Sequence, residues 1–186
     1  MDFLLIISFC LFYFQLCNSI TVQTNDGKVK GFVEQSGFFK KPINIFKGIR
    51  YAQPPIGQLR FKKPMPVKQW NDVYNANKFG PTCWQKSGSN HSEDCLFLNI
   101  YTPYIPLNRS LSNETLKPVM FFIHGGYFTL GSGNINGIEL ASHDVVLVTH
   151  NYRLGIFGFL YGGNDDAPGN VGLHDQLLAL KWVIKM

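Results

Sequence analysis

Pro118-Val119-Met120-Phe121-Phe122-Ile123-His124-Gly125-Gly126-Tyr127-Phe128 is the stretch on which the fold turns. Its apolar residues run on without alternation, the pattern of a strand covered on both faces in a mainly parallel sheet, and the paired glycines then break the run. Two glycines at the carboxyl end of a sheet strand let the backbone turn sharply and aim N–H groups into the crevice where α/β proteins bind ligands. Such donors suit an oxyanion hole, where the carbonyl oxygen of an acyl transfer becomes negative; losing one donor costs about 10²–10³ in rate. Taken alone, His-Gly-Gly is a weak signal, and a tight turn with no function is the favoured reading.

Working outward, Val145-Val146-Leu147-Val148 is a second continuous apolar run, and Gly137 to His143 between the two has the length of a short helix. Leu173, Leu177, Leu180 and Ile184 recur at helical spacing, which predicts an amphipathic helix over Gly172 to Lys185. Strand, helix, strand, helix implies an α/β fold with a mostly parallel central sheet. Upstream, Thr21 to Tyr51 reads as short strands and turns. The Asn25-Asp26-Gly27 turn precedes Val29, and Ile43-Asn44-Ile45-Phe46 ends near Gly48, giving an antiparallel edge to the sheet. Four prolines keep Ala52 to Pro66 irregular, Leu96 to Tyr101 is a strand closed by Thr102-Pro103, and the polar stretch Ile105 to Lys117 is a loop.

Composition agrees with a folded chain. Of 186 residues, 45% are hydrophobic and 16% charged, and the Gly and Pro residues have no fixed period, so disorder and collagen are excluded. The net charge is +5, but the 17 Lys and Arg never form a run of more than two, a poor footprint for nucleic acid. His91, His143, His150 and His174 lack metal-ligand spacing, and neither His-Glu-X-X-His nor Cys-X-X-Cys occurs, so no metal or cofactor is expected. Asp165 and Asp166 fall in a Gly-rich loop and are read as solvated.

Phe3 to Leu16 is apolar apart from Ser8 and Gln15 and is followed by Cys17-Asn18-Ser19. It has the length of a signal-peptide core, is short for a membrane span, and places small residues for cleavage after Ser19. The n-region departs from the pattern, with Asp2 and no Lys or Arg; an uncleaved anchor or a buried strand is the other reading. Secretion would remove Cys10 and Cys17 and leave Cys83 and Cys95, which an oxidising lumen favours pairing. Sequons begin at Asn90, Asn108 and Asn113, each an acceptor only where lumenal and exposed.

The chain resembles the type-B carboxylesterase and cholinesterase family of α/β-hydrolases from about Thr21 to its last residue. The matching blocks, in the family's order, begin with Phe46-Lys47-Gly48-Ile49-Arg50-Tyr51-Ala52, followed by Pro54-Pro55, Gly57 and Leu59-Arg60-Phe61. Gly80-Pro81 with Cys83, then Ser92-Glu93-Asp94-Cys95-Leu96-Phe97-Leu98-Asn99, then His124-Gly125-Gly126 continue the series. Asn151-Tyr152-Arg153-Leu154-Gly155 with Gly158-Phe159-Leu160, and Ala167 to Leu173 with Asp175-Gln176, complete it.

The resemblance implies a carboxylesterase acting on a small-molecule ester, with oxyanion donors from the Gly126 and Tyr127 N–H groups and Gly125 shaping the turn. Tyr127 departs from the family, which usually has Gly or Ala there. A negative φ would leave donation intact, a positive one would cost roughly 1–2 kcal/mol, and the phenol would narrow the acyl pocket. The resemblance also implies a Cys83–Cys95 disulfide and two ion pairs, Arg60 with Glu93 and Arg153 with Asp175; ordinary surface pairs are the other reading, but the apolar and Gly residues flanking them favour partly buried ones. The loop between the cysteines encloses only 11 residues, and Trp84 does not match the choline-binding tryptophan of family cholinesterases, which favours a general carboxylesterase.

No Gly-X-Ser-X-Gly elbow occurs, so nucleophile, base and acid are expected beyond Met186. The chain is thus read as a signal peptide, 1–19, followed by the N-terminal portion of an α/β-hydrolase domain, 20–186, inactive alone and with an uncovered apolar face. Because the family also includes adhesion proteins that lack the triad, a catalytically inactive cell-adhesion protein is the alternative.

Overall fold

A computed structural model describes residues 19–86, 88–105 and 116–186. The hydrophobic segment Phe3 to Leu16 and the sequons at Asn108 and Asn113 lie outside the described residues. In chain order the elements are β1 (Ser19–Gln23), β2 (Lys28–Gln35), β3 (Pro42–Arg50), β4 (Tyr74–Asn75), β5 (Thr82–Cys83) and β6 (His91–Ser92). There follow β7 (Phe97–Thr102), β8 (Val119–Phe122), α1 (Ile138–Ala141), β9 (Val146–His150), α2 (Gly155–Phe159), β10 (Tyr161–Asn164), β11 (Ala167–Pro168) and α3 (Val171–Ile184).

Seven strands form one mixed sheet in the order β1-β2-β3-β7-β9-β8, with β4 pairing beside β2. The early strands are antiparallel as expected, but so are β3 with β7 and β7 with β9. Within this sheet, among the described residues, only β8 with β9 and the short β2 with β4 run parallel. The expectation of a mostly parallel sheet is therefore corrected for the described residues. The parallel part begins only where α1 supplies the crossover from β8 to β9.

Two apolar layers flank the sheet. On one face Phe46, Ile49, Leu98, Ile100 and Val148 pack with Ala179 and Trp182 of α3; on the other Ile43, Ile45, Tyr101 and Leu147 pack with Ile138 and Ala141 of α1. Phe46 and Ile49 share a face despite their odd spacing because the β3–β7 register shifts between them. Gly48, at φ +72, provides that bulge. Its amide donates to Asn99 Oδ1 at 2.8 Å, and its carbonyl accepts from the Tyr74 hydroxyl at 2.8 Å.

β7 is buried throughout and β9 nearly so, as continuous apolar runs predict. β8 differs. Val119, Met120 and Phe122 are exposed, because among the described residues β8 is the last strand of the sheet and has β9 on one side only. The predicted helix is present one residue longer at its start and one shorter at its end, yet Leu173, Leu177, Leu180 and Ile184 face outward. The inward face is Val171, Gly172, Asp175, Ala179 and Trp182. The Gly-rich segment expected as a loop forms the β10–β11 hairpin, and Asp166 in its turn is exposed but paired with Lys62 at 2.8 Å.

Candidate active site

Beyond β8 the backbone passes through Gly126 at φ +121, Tyr127 at +55 and Phe128 at +59, three successive positive values. The amides of Thr129 and Leu130 donate back to the Gly126 carbonyl at 3.0 and 3.1 Å and close the turn. A Cβ on Gly126 would strike the Leu130 carbonyl oxygen, whereas one on Gly125 would meet nothing within 4 Å. Among the described residues the N–H groups of Gly125, Gly126, Tyr127 and Phe128 donate to no protein acceptor. Successive unpaired amides in a turn make a concavity for an anion or a developing negative oxygen.

Tyr127 takes the positive φ, the costlier of the two expected cases, at roughly 1–2 kcal/mol for a residue with a Cβ. Its amide still exists and is still unpaired. The ring is 93% exposed and lines no pocket among the described residues.

His124 anchors the turn from beneath. Its imidazole stacks on Tyr152 with centroids 4.4 Å apart, and Nδ1 lies 2.9 Å from the Gly125 carbonyl, which assigns the proton to Nδ1. The Tyr152 hydroxyl donates to the His124 carbonyl at 3.0 Å, and the Gly155 amide donates to the Phe128 carbonyl at 2.7 Å. Burial lowers the His124 pKa, opposed by the Gly125 carbonyl. A neutral ring bonded to its own turn is a support for that turn.

Cys83 and Cys95 form a disulfide with Cα atoms 4.9 Å apart, joining β5 to the segment that enters β7. Arg153 and Asp175 are both enclosed, with side chains 3% and 0% exposed. The Asp175 carboxylate accepts from the Arg153 amide at 3.0 Å, Nε at 2.8 Å and Nη2 at 2.8 Å. Burial raises the Asp175 pKa while the guanidinium pulls it down. Gly172 makes room for this arrangement, since a Cβ there would lie 2.5 Å from the Arg153 carbonyl.

Arg60 donates from Nε and Nη2 to the two carboxylate oxygens of Glu93 at 2.5 and 2.8 Å, but their side chains are 42% and 27% exposed. The expectation of a partly buried pair fails for Arg60, which leaves the one-turn helix Gly57–Leu59 at the surface. A third pair was not anticipated. Arg50 grips Asp94 at 2.5 and 2.9 Å with its guanidinium 4.4 Å over the Phe97 ring. The adjacent acids Glu93-Asp94, each with an arginine to meet, were its only trace in the sequence. Asn90 is exposed beside the disulfide.

The sequence profile of the carboxylesterase family matches residues 18–186. The chain belongs to the carboxylesterase family. It is 43% identical over 190 residues to a carboxylic ester hydrolase of Bombus ignitus, an alignment covering 97% of this chain and 33% of that protein. Among solved structures, a PNB esterase superposes with a TM-score of 0.77 at 43% identity, over 89% of this chain and 34% of that one. The juvenile hormone esterase from Manduca sexta, solved with OTFP covalently attached, gives a TM-score of 0.81 at 36% identity, over 90% and 32%. The described residues thus carry part of the α/β-hydrolase fold, and the chain spans about a third of the length of the carboxylesterases it matches.

Proposed function

We propose that the protein containing this chain is a carboxylic ester hydrolase that acts on small-molecule esters by a serine mechanism. The reading rests on the unpaired amides of Gly126 and Tyr127 at the carboxyl end of β8, with Gly126, at φ +121, and not the expected Gly125, admitting the turn. A serine from an elbow outside these residues attacks the ester carbonyl carbon, and its proton passes to a histidine held by an Asp or Glu. Negative charge moves to the carbonyl oxygen, where the two amides receive it; the alkoxide leaves with a proton, and water then releases the acid from the acyl serine. The relatives named above are hydrolases by name, which favours the enzyme over the adhesion reading. Residues 1–19 as a signal peptide, 20–186 as part of the hydrolase domain and an extracellular location form one proposal, supported by the apolar N-terminal segment, the Cys83–Cys95 bond and the exposed Asn90 acceptor.

The test uses the product of the longest transcript that contains these residues. Hydrolysis of p-nitrophenyl acetate or butyrate, with one fluorophosphonate adduct on a serine, is the expected result. A folded product that neither turns over an ester nor takes the label overturns the reading.

A further inference from the structure

Gln85 lies outside the glycine turn, two residues past Cys83, yet its amide closes on the backbone of a single residue within the turn's return path. Its Oε1 accepts from the Gly131 amide at 2.8 Å, and its Nε2 donates to the Gly131 carbonyl at 2.9 Å. The same Nε2 donates to the Cys83 carbonyl at 3.1 Å. Gly131 in turn presses on the oxyanion turn. At φ +113 it approaches so closely that a Cβ would lie 2.5 Å from the Gly125 carbonyl oxygen and 2.6 Å from His124 Nδ1. These are the two atoms whose mutual contact orients the first peptide of the turn.

We propose that Gln85 is a positioning residue for the oxyanion hole, fixing Gly131 against the Gly125 carbonyl so that the Gly126 and Tyr127 amides keep their direction. The role rests on the hydrolase reading above, but the clasp itself has a readout independent of turnover. A side-chain amide that satisfies both the N–H and the C=O of one residue sets that residue's orientation as a strand partner would. A single bond would leave it free to rotate. The clasp also explains why a disulfide sits nearby: Cys83 holds the base of Gln85, so the two-pronged contact is made from a fixed support.

Three forms of the product of the longest transcript decide the matter: wild type, Gln85→Met and Gln85→Glu. Met keeps length and loses every hydrogen bond, while Glu still accepts from the Gly131 amide and loses the donor to its carbonyl. Hydrogen exchange of the Thr129, Leu130 and Gly131 amides should quicken by about tenfold in Gln85→Met, less in Gln85→Glu, with β7 and β9 amides unchanged. With p-nitrophenyl butyrate, kcat should fall by about 10- to 100-fold in Gln85→Met, with KM within about twofold, and be partly restored in Gln85→Glu. Unchanged exchange in the turn overturns the proposal, as does a rise shared equally by the β7 and β9 amides. Quickened local exchange with wild-type kcat removes the positioning role. If the wild type hydrolyses nothing, the hydrolase reading and with it the positioning role fall, and the exchange data then report on the clasp alone.

Discussion

Asp175, inside α3, accepts three hydrogen bonds from Arg153, one of them from its main chain. The pair therefore fixes the direction in which the chain leaves β9 as well as the seat of the helix. Arg153→Met strands a buried carboxylate and should cost about 3–5 kcal/mol, read as a lower urea midpoint or, where folding fails, as loss of soluble expression. Arg60→Met, at the exposed pair with Glu93, should leave the midpoint within the error of the same curve.

The two glycines of the turn should respond oppositely to the same substitution. Gly125→Ala finds open space and should change stability by less than about 0.5 kcal/mol. Gly126→Ala drives a methyl group into the Leu130 carbonyl and demands a φ of +121 from a residue with a Cβ. Its turn must rearrange, and in the active protein kcat should drop by about 10²–10³ through loss of an aimed amide. Equal kinetics for the two variants would separate the turn from catalysis.

Acid should weaken the fold through His150. Its ring stacks on Phe121 at 4.5 Å and lies 6.4 Å from Tyr51, and neither nitrogen makes a hydrogen bond of good geometry among the described residues. Burial, reinforced by nearby His124, lowers its pKa to about 3, with the Phe122 backbone opposing only weakly. The folded protein holds the ring neutral, whereas the unfolded chain takes up a proton below about pH 6.5. With the folded value depressed, this contribution to stability is complete above pH 6.5 and is lost as pH falls toward 3. The loss is about 1.4 kcal/mol per unit, or about 2 kcal/mol at pH 5. Urea midpoints at pH 7 and pH 5 measure it, and His150→Phe should flatten the difference.

Residues 19–186 expressed alone should bind 8-anilinonaphthalenesulfonate and self-associate, because Phe122 at the end of β8, Ile123 after it, and Leu173, Leu177 and Ile184 on α3 are all exposed. Leu177→Glu with Ile184→Lys should reduce dye binding and aggregate mass in light scattering. Their outward positions predict no fall in the unfolding midpoint.

The legible parts of the fold were those set by local periodicity. The runs at Leu96–Tyr101 and Val145–Val148 became the buried strands, and leucine spacing located α3. Which side of α3 turns inward was not readable, since its buried stripe includes Asp175 and Gly172 and so scores as polar and flexible. That stripe follows from the partner Arg153, twenty-two residues away. Exposure of β8 was hidden for a similar reason, because burial of a strand depends on its neighbours and not on its own residues. The site was legible as a glycine pair after an apolar run. Its positive backbone angles, the Tyr152 support and the Gln85 clasp depend on long-range contacts that no spacing rule encodes.

The far side of β8 also makes a demand in main-chain terms. Among the described residues, only one flank of Val119–Phe122 is joined to another strand, so the opposite flank presents a row of alternating donors and acceptors. Side chains from a helix could shield the apolar surface there but could not satisfy that row. Whatever completes the sheet beside β8 has to arrive as extended chain, laid in register along four residues, before the glycine turn at its end gains a rigid wall.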